Sequence, residues 1–184
     1  SSIMTPFDKL VTVKEGTSQD SVKKMMYENR IEKILVIDDK NALSGLVTMK
    51  DIEKSAEHPD ATKDSSGRLM VGAALGTGSD TLDRAKALHE VGVDVFVIDS
   101  AHGHSKNVLD TIKLVREHFP DVEIIGGNVA TPEGAQALVE AGADAIKVGM
   151  GPGSICTTRI IAGIGVPQIT AIMTIREALV GKGV

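Results

Sequence analysis

The segment HEVGVDVFVIDS, residues 89–100, has the layout of a helix end, a glycine turn and a short apolar strand. The segment VEAGADAIKVGM, residues 139–150, repeats that layout. In both segments the strand runs to a polar residue or a glycine. A helix joined to a strand by so short a turn, occurring twice, predicts repeated βα units.

Four apolar segments extend this pattern over the second part of the chain: RLMVGAALG, VDVFVIDS, VEIIGGNVA and DAIKVGMG. They begin about 22 to 29 residues apart, with helical patterns between them, which predicts about four βα units with parallel strands. A closed barrel has about eight strands. A four-stranded doubly wound sheet is the alternative, but LGTGSD lacks the G-x-G-x-x-G fingerprint. We therefore predict an α/β fold that is part of a (β/α)8 TIM barrel.

The first sixty residues have a different organisation. KLVTVKEGT and KILVIDD predict short strands, SQDSVKKMMYENR predicts a helix capped by serine, and ALSGLVTMKDIEKS predicts a strand followed by a helix. AEHPDATKDSSGR is polar and rich in turn-forming residues. The predicted organisation is a small α+β module at 1–55, a linker at 56–68 and the βα units at 69–184.

Composition excludes several classes of protein. The chain is 42% hydrophobic and 24% charged, as in soluble globular proteins, and its net charge of −5 argues against general nucleic-acid or membrane-surface binding. One cysteine cannot form an internal disulfide framework and fits a reducing compartment. No apolar run approaches the roughly 18 residues of a membrane span, and the first residues lack a signal-peptide pattern. We expect a cytoplasmic protein.

That cysteine, Cys156, lies in KVGMGPGSICTTR, residues 147–159, directly after a turn rich in glycine and proline. Structural cysteines are usually found within apolar strands or helices, so this position favours a chemical role over inert packing. TTRIIAGI, which includes Thr158, predicts a helix whose N-terminus would favour a thiolate. The same threonine could instead serve only as a helix cap.

Each predicted strand ends in residues with unusual chemistry, and sites in parallel α/β folds form at these carboxyl ends. Asp99 could accept hydrogen bonds from ribose hydroxyls or could cap the following helix. His102 and His104 have the H-x-H spacing of some metal sites, but no Cys, Asp or Glu partner set accompanies them. We interpret these histidines as loop residues.

The motif GMGPGSICTTR, with GGNVAT before it and GVPQITAI after it, resembles the inosine-5′-monophosphate (IMP) dehydrogenase family. The resemblance covers the whole chain. Residues 1–55 look like the second of the family's paired cystathionine-β-synthase-type (CBS) modules, and residues 69–184 look like the third to sixth βα units of its barrel. GMP reductase shares most of the cysteine loop but usually lacks the CBS insert, so the resemblance favours the dehydrogenase.

This resemblance implies NAD-dependent oxidation of IMP to xanthosine monophosphate through a covalent thioimidate on Cys156, in guanine nucleotide biosynthesis. Thr158 would help to activate the hydrolytic water, and Ser154 would contact the phosphate or ribose region of IMP. The family also binds potassium through backbone carbonyls, which here would be those of Gly151, Gly153 and Cys156. A plain turn is the alternative reading of these glycines.

The resemblance also implies two nucleotide-binding sets. The residues that would contact NAD are Asp99, Ser100, Asn128, Gly149, Met150 and Gly151. In the CBS module, Thr48 and Asp51 match positions that meet the phosphate and ribose of purine nucleotides. A helix cap at Thr48 and a favourable first-turn charge at Asp51 would explain the same residues without a ligand.

The family's assembly and remaining parts give further expectations. Its members form homotetramers and sometimes octamers, so we expect self-association. Its other strands, its first CBS module and its mobile flap have no counterpart in this sequence, so we expect the chain alone to be inactive. Two alternatives stay open, namely GMP reductase and a non-catalytic nucleotide-binding CBS module.

Overall fold

The computed structural model describes residues 3–184. The chain forms two compact units, divided between Thr62 and Lys63. The first unit contains a three-stranded sheet and the second a four-stranded sheet. Among the described residues, no helix is long and apolar enough to cross a membrane.

The first unit is a small α+β structure. Its elements are a 3-10 turn (Phe7–Lys9), β1 (Thr12–Lys14), α1 (Gln19–Asn29), β2 (Lys33–Ile37), β3 (Leu43–Thr48) and α2 (Met49–Glu57). Strand β2 is central, parallel to β1 and antiparallel to β3. Ser18 caps α1 as predicted, because its side chain accepts a hydrogen bond from the Ser21 N–H. The core consists of Val13, Val22, Met26, Ile34 and Ile52.

The second unit confirms the predicted βα repeats. Its elements are β4 (Gly72–Leu75), α3 (Thr81–Glu90), β5 (Val95–Asp99), α4 (Lys106–His118), β6 (Glu123–Val129), α5 (Pro132–Ala141), β7 (Ala145–Val148), α6 (Thr158–Ile161) and α7 (Gln168–Leu179). The four strands are parallel and lie in chain order. This is the order of consecutive βα units in a barrel wall.

The two faces of this sheet differ in burial because strand side chains alternate between them. Phe96, Ile98 and Ile124 are fully buried in a core shared with helices α4 and α5. Val97 and Ile125, on the opposite face, are only partly buried. The helices therefore cover one face of the sheet.

The repeat seen in the sequence corresponds to a repeated pair of hydrogen bonds at the amino ends of the strands. The Asp94 N–H donates to the Val71 carbonyl at 3.0 Å, and the Asp94 carboxylate accepts from the Val71 N–H at 2.7 Å. Asp144 makes the same two bonds to Ile124, at 2.9 and 2.8 Å. Each aspartate thus joins the start of its own strand to the neighbouring strand.

Two elements are shorter than the sequence suggests. The first predicted strand begins only at Gly72, and Leu69 and Val71 before it are more than half exposed. The helix predicted after Cys156 is present but comprises only Thr158–Ile161. A strand prediction based on hydrophobic residues alone is too long where those side chains are exposed.

Candidate active site at the carboxyl ends of the strands

The loops at the carboxyl ends of β5, β6 and β7 are joined by backbone hydrogen bonds. The Ser100 N–H donates to the Gly127 carbonyl at 2.9 Å, and the Asn128 N–H donates to the Ser100 carbonyl at 2.7 Å. The Gly149 N–H donates to the Val129 carbonyl at 2.9 Å. The predicted strand-end residues on these three strands therefore belong to one connected edge of the sheet.

The thiol of Cys156 is partly buried and has a polar partner. Its Sγ lies 3.2 Å from the Oγ1 of Thr158, within hydrogen-bonding distance. The pKa of Cys156 is lowered, mainly by the Thr158 hydroxyl and then by the Thr158 backbone N–H. Desolvation opposes this effect and the positive charge of Arg159 supports it. A larger thiolate fraction makes this sulfur a better nucleophile.

Thr158 is not the cap of α6. The N-cap is Thr157, whose side chain makes no capping hydrogen bond, and Thr158 is the first helical residue. The hydroxyl of Thr158 is directed instead to the sulfur of Cys156. A helix of one turn is too short to carry a strong dipole, so the threonine contacts account for the lowered cysteine pKa.

The glycines of the loop allow it to pack closely against the first residue of α7 and the chain segment before it. Gly149 and Gly151 have φ of 136° and 74°, a region that favours glycine. A Cβ at Gly149 would lie 2.5 Å from Oε1 of Gln168, and a Cβ at Gly151 would lie 2.7 Å from the Ile164 carbonyl. Gln168 also donates to the Val148 carbonyl at 2.9 Å. Larger residues would push the loop away from this segment.

The predicted potassium ligands are carbonyl oxygens, which suit a poorly hydrated cation. Gly153 already accepts hydrogen bonds from the Cys156 N–H at 3.1 Å and from the Arg159 guanidinium at 3.4 Å. The second bond is long and comes from an exposed side chain, so a cation could replace it. Within residues 3–184 no cluster of three or more His, Cys, Asp or Glu could hold a metal. Ser154, the predicted IMP contact, is exposed.

Asn128 and Ser100 lie beside one another at the ends of β6 and β5. The Ser100 hydroxyl accepts a hydrogen bond from the His102 N–H at 3.2 Å. The Oδ1 of Asn128 is buried and has no hydrogen-bond partner. A buried acceptor without a donor is costly, so Asn128 is suited to a ligand that brings an N–H or O–H group.

Sequence reasoning missed Lys147. Its ammonium donates to the Asp99 carboxylate at 2.7 Å, although 48 residues separate the two in sequence. Lys147 was visible in the sequence as a charged residue within an apolar strand. Its partner could be identified only from the strand register.

Thr48 and Asp51 form a capping box at the start of α2. The Thr48 hydroxyl accepts from the Asp51 N–H at 3.2 Å, and the Asp51 carboxylate accepts from the Thr48 N–H at 2.9 Å. The Thr48 hydroxyl also donates to the Asp51 carboxylate at 2.7 Å, and this bond, followed by the one from the Thr48 N–H, lowers the pKa of Asp51. The helix-cap alternative for these two residues is therefore present in the structure.

These observations define a parallel βα protein whose nucleophilic and polar residues collect at the carboxyl ends of its strands. A sequence profile described as "IMP dehydrogenase / GMP reductase domain" matches residues 9–184. The chain belongs to the IMP dehydrogenase / GMP reductase family.

Individual relatives agree with this assignment. The chain is 56% identical to inosine-5′-monophosphate dehydrogenase of Aquifex aeolicus, covering 93% of this chain and 35% of that protein. It is 55% identical to the same enzyme of Escherichia coli, covering 98% of this chain and 37% of that protein. The chain thus spans little more than a third of the length of these relatives.

Solved structures of GMP reductase, the other enzyme in the family's name, also match the chain. GMP reductase from Trypanosoma brucei in complex with guanosine 5′-triphosphate matches with a TM-score of 0.78 and 41% identity, covering 99% of this chain and 44% of that one. A variant of the same enzyme, in complex with guanosine 5′-monophosphate, matches with a TM-score of 0.77. Because a GMP reductase covers both units of this chain, the presence of residues 1–55 does not favour the dehydrogenase.

Proposed function

We propose that this chain is part of an IMP dehydrogenase that oxidises IMP to xanthosine monophosphate with NAD, in guanine nucleotide biosynthesis. The observation that carries the proposal is the Cys156 thiol, whose pKa is lowered by Thr158 within a glycine-rich loop after a barrel-type strand. The IMP dehydrogenases that are 55% and 56% identical to the chain support the same function.

In the proposed reaction the thiolate of Cys156 adds to the purine C2 of IMP and forms a carbon–sulfur bond. The carbon becomes tetrahedral and can release a hydride to NAD, which would enter as the second substrate and leave as NADH. Water then attacks the thioimidate that remains on Cys156. The carbon–sulfur bond breaks, xanthosine monophosphate leaves and the thiol is restored. We assign assistance to this water to Thr158, whose hydroxyl lies 3.2 Å from the sulfur.

Several strand-end residues fit a dinucleotide. The buried, unpartnered Oδ1 of Asn128 calls for a hydrogen-bond donor. The Asp99 carboxylate is 44% exposed and suits ribose hydroxyls, with Ser100 adjacent to it. We also assign the backbone of Gly149, Met150 and Gly151 to the nicotinamide part of NAD, as the family resemblance implies.

Two further binding assignments concern the cysteine loop. We assign Ser154 to the phosphate or ribose region of IMP, because a hydroxyl and free backbone N–H groups suit phosphate oxygens. We assign potassium to the carbonyls of Gly151, Gly153 and Cys156. The long Arg159 bond to Gly153 would give way to the ion.

GMP reductase is the second candidate, favoured by the Trypanosoma brucei structures that cover 99% of this chain. That enzyme would consume NADPH and release ammonia from GMP. The test uses the complete natural protein that carries this sequence. Our proposal predicts NADH formation from IMP and NAD, stimulated by potassium, and no oxidation of NADPH with GMP. The reverse pattern would identify a reductase and refute the proposal.

For the first unit we propose a CBS module that binds a purine nucleotide near Thr48 and Asp51, within a cytoplasmic homotetramer or octamer. The exposed Asp51 carboxylate supports a ribose contact, although its oxygens also serve the capping box. Nucleotide binding would be supported if ATP or GTP shifts the thermal transition and Asp51→Ala abolishes that shift. The absence of any shift in the wild type would refute nucleotide binding. Light scattering of the complete protein tests the assembly.

A further inference from the structure

Asp99, Gly127 and Lys147 lie in register on three neighbouring strands. Asp99 of β5 pairs with Gly127 of β6, and Gly127 pairs with Lys147 of β7. Residues in register on parallel strands direct their side chains to the same face of a sheet. The ammonium of Lys147 reaches Oδ2 of Asp99 at 2.7 Å and therefore spans the whole width of the middle strand.

Gly127 makes this crossing possible. A Cβ on Gly127 would lie 2.6 Å from the Cβ of Lys147 and 2.6 Å from its carbonyl oxygen. Real side chains do not approach backbone so closely, so any other residue would displace β7 or the lysine. The glycine in the middle strand thus provides the space through which the lysine and the aspartate meet.

The ion pair has little value for stability. Both side chains are 44% exposed, and pairs this accessible to water contribute little to folding. The exposed pairs Lys24–Glu28 and Lys106–Asp110 join neighbours on a single helix, whereas this pair joins two strands that are not adjacent. It also lies at the carboxyl ends of the strands, where parallel α/β proteins bind their ligands.

We infer that Lys147 is a positioning residue that fixes the Asp99 carboxylate for a ribose diol. Lys147 occupies Oδ2, and within residues 3–184 no group donates a hydrogen bond to Oδ1. One oxygen is therefore anchored while the other is available to a hydroxyl. This inference rests on the proposed function, in which Asp99 binds the ribose of NAD. Without the lysine the carboxylate would populate several rotamers. Binding would then have to restrict it to one of them, and the lost conformational entropy would weaken the affinity for the ribose.

The test compares Lys147→Met with Lys147→Arg in the complete protein. Methionine keeps the length of the side chain and removes the charge, whereas arginine keeps a donor for the carboxylate. Lys106→Met is the matched control, because it also removes one member of an exposed ion pair. Equilibrium NAD binding is measured by calorimetry in a Cys156→Ala background, which prevents turnover. KM for NAD and for IMP is measured with Cys156 present.

The inference predicts that Lys147→Met weakens NAD binding and raises KM for NAD about tenfold, while KM for IMP stays within about twofold. Lys147→Arg should recover most of the affinity, and Lys106→Met should match the wild type. Adding Lys147→Met to Asp99→Asn should cause little further loss, because the two residues act as a unit. If Lys147→Met does not fold, Lys147→Gln replaces it.

Three negative results have different meanings. Unchanged NAD affinity in Lys147→Met, with normal binding by the wild type, would overturn the positioning role and leave the proposed function intact. A wild type that binds no NAD and makes no NADH from IMP would overturn both. Equal loss of IMP and NAD affinity would show a general structural defect and would also overturn the positioning role.

Discussion

Aspartates at the two ends of the four-stranded sheet have different partners. At the amino end, the Asp144 carboxylate accepts from the Ile124 N–H and from the guanidinium of Arg116, which also binds nearby carbonyls. At the carboxyl end, the Asp99 carboxylate accepts a hydrogen bond from Lys147 alone within the described part of the chain. The Asp144 carboxylate bonds a strand N–H and a partly buried arginine, whereas Oδ1 of Asp99 accepts no hydrogen bond from the described residues. This division matches the stability and catalytic faces of βα barrels.

The largest effect should come from Cys156→Ala. Removal of the only proposed nucleophile should lower the rate of NADH formation by at least about a thousandfold, while the unfolding midpoint changes little. Thr157→Ala is the control, because this neighbouring threonine is exposed and makes no capping bond. A Cys156→Ala enzyme with more than a tenth of the wild-type rate would refute the covalent route.

The comparison of the two sheet ends predicts opposite phenotypes for two aspartate variants. Asp144→Ala should cost about 2 kcal/mol of unfolding free energy, because it leaves a strand N–H and an arginine without their partner. Its KM values should be unchanged. Asp99→Asn should alter the unfolding free energy by less than about 1 kcal/mol and should raise KM for NAD.

Chemical denaturation and steady-state kinetics on both variants measure these effects. Asp121→Ala, an exposed aspartate, controls for loss of a surface charge. If Asp99→Asn proves the more destabilising of the two and leaves KM for NAD unchanged, the functional distinction between the two ends of the sheet is wrong.

The lowered pKa of Cys156 predicts the pH dependence of its alkylation. Only the thiolate reacts with iodoacetamide, so the rate should rise with pH and reach its midpoint below that of an ordinary cysteine, about 8.5. Thr158→Ala removes the main stabilising contact and should move the midpoint to higher pH, whereas Thr157→Ala should not. Mass spectrometry of the Cys156 peptide follows the reaction. Identical midpoints in all three proteins would exclude the role of Thr158.

The smallest effect is expected at the capping box of the first unit. Thr48→Ala should destabilise α2 by about 1 kcal/mol, because the Asp51 N–H loses its acceptor. Lys50→Ala, on the same helical turn, is the control. Circular dichroism of the complete protein during denaturation measures the difference. If Thr48→Ala leaves the free energy of unfolding unchanged, the cap contributes nothing to the stability of the first unit.

Local signals allowed much of the fold to be predicted. The glycine at each helix end, the apolar strand after it and the polar strand end were all visible in HEVGVDVFVIDS, and the structure contains the corresponding βα units. The Ser18 cap was equally local. Such features depend on a few consecutive residues, so a sequence pattern is enough to identify them.

Longer-range features could not be predicted in the same way. The pairing of Lys147 with Asp99 depends on the register of three strands, and the buried Oδ1 of Asn128 depends on how the loops close around it. Leu69 lies outside β4 and forms an isolated antiparallel bridge with Lys63, a pairing that no local sequence pattern indicates. Each of these follows from tertiary structure and not from residue type.

The most direct test of the central claim is mass spectrometry of the complete protein, quenched with acid while it turns over IMP and NAD. The proposed mechanism predicts a nucleotide adduct on the peptide that contains Cys156, and its disappearance once IMP is exhausted. Turnover at the full rate with Cys156 unmodified at every time point would contradict the claim that this cysteine forms a covalent bond with the substrate.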